Sequence, residues 1–79
     1  MDIKEILEKH RKWLSNEEGG ERANLNGEDL SGKNLIGENF SLAYLNGTNL
    51  TQAKLTRTNF RGANLRGASL RGAKLNFSD

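Results

Sequence analysis

At 79 residues, with no cysteine, one histidine and 28% charged residues, the chain is a single small domain near the lower limit for a self-sufficient core. Disulfides and thiolate zinc sites are excluded, and no apolar run approaches the ~18 residues of a membrane span. The net charge of +2 is uneven: residues 1–38 hold six basic and nine acidic residues, a net −3, while residues 39–79 hold six basic and one acidic, a net +5.

The first dozen residues are charged and lack the pattern of a signal peptide, so a cytoplasmic protein without membrane association is expected. Asp2 is placed to cap a helix, and Glu5 three residues later completes a capping-box spacing. Ile3, Ile6, Leu7, His10, Trp13 and Leu14 then share one helical face, with Lys4, Glu5, Glu8, Lys9, Arg11 and Lys12 around the other. Gly19-Gly20 ends the element. The spacing predicts one amphipathic helix over residues 2–16, joined by an acidic link (Glu17, Glu18, Glu21) to the remainder of the chain. Its polar face mixes both signs of charge, which favours packing on the rest of the protein over lying on a membrane. His10 is expected at that packed junction as a helix-face residue, not a catalyst.

From Ala23 to Phe77 the sequence repeats in fives. The middle position is Leu25, Leu30, Leu35, Phe40, Leu45, Leu50, Leu55, Phe60, Leu65, Leu70 and Leu75, and only Leu42 and Phe77 are Leu or Phe outside that register. A period of five matches neither a helix nor a strand. One large apolar residue in five builds a core only if the chain coils and stacks equivalent positions of successive turns. Two residues before the centre the side chain is usually small (Ala23, Ala43, Thr48, Ala53, Thr58, Ala63, Ala68, Ala73), which suits a second, tighter inward slot. Two residues after it, glycine recurs (Gly27, Gly32, Gly37, Gly47, Gly62, Gly67, Gly72), as a corner needing positive φ would favour. The other slots are mostly Asn, Ser, Thr, Arg and Lys, suited to a solvated wall.

The motif ANL at Ala23–Leu25 and Ala63–Leu65, with AKL at Ala53–Leu55 and Ala73–Leu75, resembles the A(D/N)LXX pattern of the pentapeptide repeat family. The resemblance implies an all-β solenoid: a right-handed quadrilateral β-helix of just under three coils, with residues 21–79 in the repeat array and residues 1–20 as an N-terminal α-helical cap and link. The cap is similar to the lead-in found before the repeats of some bacterial and phage members. A coil of twenty residues would stack Phe40 on Phe60 inside. Glu28, Lys33 and Glu38 break the pattern by occupying the small inward slot of the first coil, where an unpaired buried charge is costly. That end is therefore expected to be partly open, or to lie under the helix.

No pairing of nucleophile and base is visible, and a narrow coil filled by its own Leu and Phe leaves no pocket of ligand size. No catalytic residue, cofactor or metal site is expected. The reading that remains is a rigid, non-catalytic module offering flat walls to a protein partner. Lys54, Arg57, Arg61, Arg66, Arg71 and Lys74 form the candidate interaction surface. Leu75 and Phe77 mark a candidate self-association end, through which two chains would pack C-terminus to C-terminus as a homodimer. Repulsion between two basic ends opposes that dimer, and screening within about 8 Å only softens it. The quinolone-resistance pentapeptide repeat proteins bind DNA gyrase by presenting an acidic, DNA-shaped rod. The basic half after residue 38 argues against such mimicry here. Direct nucleic-acid binding needs several cations on one surface, whereas Arg61, Arg66 and Arg71 fall on consecutive sides and would point different ways.

Overall fold

Asp2 starts the one helix of the computed structural model, which describes residues 1–76: α1 (Ile3–Leu14). The Asp2 carboxylate accepts the Glu5 amide at 3.2 Å, satisfying one of the N–H groups that a helix start leaves without a partner. Arg11 and Lys12 in the last turn complement the helix dipole. The element is shorter than the predicted 2–16. The Ser15 amide caps the Arg11 and Lys12 carbonyls, and Asn16 takes φ 56°, so the chain leaves the helical path after Leu14. The link then folds back along the helix, with the Glu21 amide donating to the Lys9 carbonyl at 3.0 Å. Gly20 passes so close that a Cβ there would run into the backbone of Trp13, so only glycine fits.

From Ala23 onward the backbone pairs with itself twenty residues further along. Parallel bridges join Asn24 to Tyr44, Asp29 to Asn49, Asn34 to Lys54 and Asn39 to Asn59, then Tyr44 to Asn64, Asn49 to Ser69 and Lys54 to Lys74. The Leu25 amide donates to the Tyr44 carbonyl at 2.7 Å, and the Tyr44 amide donates to the Ala23 carbonyl at 3.0 Å. One turn of this coil therefore holds four pentapeptides. Each bridge is a single residue pair rather than a run of strand. The reason is geometric: a corner every five residues leaves too few extended residues between corners for a longer ladder. Corners take φ near +60–73°. Gly47 does so at 69°, while Leu42, Gln52 and Arg57 adopt 63°, 59° and 60° without glycine's freedom. At Asn24, Asp29, Asn34, Asn39, Asn49 and Asn59 the residue before the centre supports the corner with its side chain, as where Asn49 Oδ1 accepts the Thr51 amide at 3.0 Å.

The inner column is closed from Leu25 to Phe60, and Phe40 and Phe60 stack at 5.5 Å with planes 9° apart. Ala23, Ala43, Thr48, Ala53 and Thr58 fill the small slot. The two buried hydroxyls cost little, because Thr48 donates to the Leu25 carbonyl at 2.7 Å and Thr58 to the Leu35 carbonyl at 2.8 Å. Beyond Phe60 the predicted column opens. Leu65 and Leu70 are half-buried and Leu75 is 43% exposed, because no further described turn stacks on them; Phe77 lies outside the described residues. The end that carries Glu28, Lys33 and Glu38 is partly open, as expected of charges in the small slot. Glu28 and Lys33 are exposed, and Glu38 is half-buried in an ion pair with Lys4 at 3.1 Å. At this first described turn the slot has no layer above it except where α1 lies, through Ile3, Ile6 and Leu7.

Leu50, fully buried in the middle turn, should lose about 2–5 kcal/mol of stability on Leu50→Ala. Exposed Arg66→Ala should change it by less than about 0.5 kcal/mol. Urea melts that ranked the two the other way would reverse the inward and outward assignment.

Candidate interaction surface

Because the coil repeats every twenty residues, each outward residue shares a side with those twenty before and after it. This sorts the six predicted cations. Lys54 and Lys74 are bridged partners on one side, and Arg57 sits at the corner that ends that side. Arg61, Arg66 and Arg71 fall on the next sides, one each, and are not brought together with them. Two residues outside the predicted set join the lysines. Asn34 is bridged to Lys54, so its neighbours Lys33 and Ile36, both exposed, belong to the same side one turn earlier. Counting twenty back from the repeat 53–57 would have found them.

A second cluster lies where α1 meets the coil. His10 is fully buried. Its Nδ1 accepts the Ala23 amide at 2.9 Å, which leaves Nε2–H to donate to the Ser41 carbonyl at 2.7 Å. Only the neutral ring protonated on Nε2 makes both bonds. Both partners are backbone groups that the coil satisfies elsewhere by itself. The Asn46 carbonyl, equivalent to that of Ser41, takes the Gly27 amide, and the Glu28 amide, equivalent to that of Ala23, closes on Leu25. Burial lowers the His10 pKa from its ordinary value; the Ser41 hydrogen bond opposes this and the nearby Arg22 charge adds to it.

Arg22 lies alongside. Its Nε donates to the Leu42 carbonyl at 2.6 Å, and its guanidinium sits 4.1 Å from the Tyr44 ring and 5.2 Å from that of Trp13. Trp13 in turn stacks on His10 at 5.7 Å. Sequence reasoning placed His10 at this junction but gave Arg22 and Tyr44 no role in it. Stepping twenty residues back from Leu42 and Tyr44, to Arg22 and Asn24, was the available signal. Chemically the junction is a clasp of saturated polar groups. Open grooves on either side of α1 are edged by the ion pairs Lys9–Glu5, Lys9–Glu21 and Lys4–Glu38. Among the described residues, no cluster of His, Cys, Asp or Glu is arranged to hold a metal, and no helix is long and apolar enough to cross a membrane.

A family model of pentapeptide repeats, in eight copies, matches residues 21–52 and 39–76. Among solved structures, the chain is similar to a pentapeptide repeat protein from the thylakoid lumen of Arabidopsis thaliana, at 38% identity and a TM-score of 0.71. That alignment covers 72% of this chain and 39% of the plant protein, so the chain spans well under half of its neighbour's length. The sequence matches no curated protein.

The unfolded chain binds a proton at His10 near pH 6.5, whereas the folded chain holds the ring neutral to lower pH. Stability from this group is therefore complete above pH 6.5 and is lost as the pH falls toward the depressed folded value, with a slope no steeper than about 1.4 kcal/mol per pH unit. Urea unfolding between pH 7.5 and 5.5 isolates it, since Glu8, Glu17 and Asp29 titrate below 4.5. His10→Gln should flatten that dependence and cost about 1–3 kcal/mol at pH 7.5 by leaving backbone groups unpaired.

Proposed function

Since the chain belongs to the pentapeptide repeat family, we propose that it is a non-catalytic interaction module, a rigid rod whose outer sides dock a protein partner. The observation that supports this most is the division of the repeat. Large apolar residues fill the interior from Leu25 to Phe60, and the outward positions are mostly polar or charged on every side. A coil filled in this way has fixed walls and no internal chamber in which to bind a substrate. The right-handed, quadrilateral form of the coil enters this reading from the family, and it accords with four pentapeptides per twenty-residue turn. The cytoplasmic location expected from composition is part of the same proposal.

Mimicry of DNA finds no support in the walls, since a polyanion mimic has no use for the stacked lysines Lys54 and Lys74. Self-association has one supporting observation. The half-buried Leu65 and Leu70 and the exposed Leu75 present an apolar end, which a second copy would cover about a two-fold axis.

Affinity purification of the tagged protein from its native host should recover a specific partner at near-stoichiometric yield. Recovery of none under gentle, low-salt conditions would sink the module reading. Light scattering at tens of micromolar should report a dimer; a monomer there removes the end-to-end contact and leaves the rest standing.

A further inference from the structure

One side of the coil concentrates positive charge without neutralising it. Lys54 and Lys74 are directly opposed across a parallel bridge, so their side chains start from backbones about 4.8 Å apart. Like charges facing each other across neighbouring strands repel. Lys33 lies one turn earlier in the slot that Ala53 fills inward, and its carbonyl accepts the Lys54 amide at 2.9 Å. Its charge acts on Asp29, however, and it is Asn34 that aligns with Lys54. Arg57 closes the side at a corner with φ 60°, a conformation that Gly37, the equivalent residue of the preceding turn, adopts without strain. All four cations are exposed, and none has an ion pair among the described residues. No acidic residue falls within 33–37, 53–57 or 73–76. The ion pairs among the described residues lie elsewhere: Arg11 with Glu8 and Glu17, Lys9 with Glu5 and Glu21, and Lys4 with Glu38.

The same side carries Ile36, 49% exposed, in the row occupied further on by Thr56 and Asn76. An aliphatic side chain on a solvated wall has no use against a phosphate backbone. Among the described residues, no aromatic shares the side to stack a base, as single-stranded nucleic acid would require. Opposed lysines, an arginine in a strained corner and an exposed isoleucine all weigh against the free protein. An acidic peptide with an aliphatic residue would offset the repulsion and cover the isoleucine, lying flat along the wall.

We propose that the side bearing Ile36, Lys54, Arg57 and Lys74 is the docking wall for an acidic protein segment that seats an aliphatic side chain against Ile36. This rests on the interaction-module reading and names the wall and the chemistry of its partner.

The probe is a fluorescein-labelled peptide of alternating Glu and Leu, tracked by fluorescence anisotropy on the full chain. Binding should weaken with added salt and fall by about tenfold or more in K54Q/K74Q. It should change less than about twofold in R66Q/R71Q, which removes the same charge from other sides. Ile36→Ser should weaken the Glu/Leu peptide but leave a Glu/Ser peptide unaffected. Lys74→Glu should raise Tm by about 1–3 °C by replacing repulsion across the bridge with attraction, while abolishing binding. A purely structural role for Lys74 predicts a fall in Tm instead. Equal loss in both double variants, tighter binding of a short DNA duplex than of the peptide, or no binding at millimolar peptide would each overturn the wall. If K54Q/K74Q still captures the native partner that the wild type captures, the wall is wrong and the module reading survives. Only a wild type that captures nothing removes both.

Discussion

Leu25 gives its amide to the Tyr44 carbonyl, Tyr44 gives its amide to Ala23, and the same exchange recurs five residues later at Leu30, Asn49 and Glu28. This ladder closes only if four pentapeptides fill each turn, since only then does every centre lie beneath the next. The apolar column, the stacked phenylalanines and the buried threonines all depend on that register. It also explains why short bridges suffice in place of strands. Each pentapeptide contributes few bonds, but they repeat in register along the axis, and the side chains between them interlock within one continuous core.

A ladder of this kind leaves unpaired backbone groups at its ends. Apolar cover alone cannot satisfy them, and α1 brings more than apolar cover. Ile3, Ile6 and Leu7 lie over the first turn, while His10 takes one carbonyl and one amide that belong to the coil's own pattern. Arg22 takes a third group, the Leu42 carbonyl, and is held between Tyr44 and Trp13. Helix and coil are joined by hydrogen bonds of defined direction, so the cap has one seating rather than a sliding hydrophobic contact.

The outward positions carry no such constraint. Once the centre, the small slot and the corner are satisfied, the remaining residues are free to set the charge of each side. Acid gathers on the link and the first turn, and bases gather on the helix and the later turns. Within the later turns the charges are not spread evenly, because residues twenty apart are neighbours. Two lysines that look unrelated in the sequence become a repelling pair, and three arginines that look like a cluster become separate.

The repeat register, the inward residues from Leu25 to Phe60, the corners and the single N-terminal helix were all determined by the sequence, because each depends on a pattern read within a few residues. The Phe40–Phe60 stack was legible too, once a turn was taken as twenty residues. What only the tertiary structure decided lies where the pattern stops or where turns meet. Glu28 and Lys33 occupy a slot that is inward in later turns, but burial needs a layer above them, and at the first described turn that layer is only partial. Leu65, Leu70 and Leu75 read like any other centre, yet they are open because burial is a property of the stack and not of the residue. His10 and Arg22 serve backbone groups far along the chain, and no local periodicity records a partner that only coiling brings near.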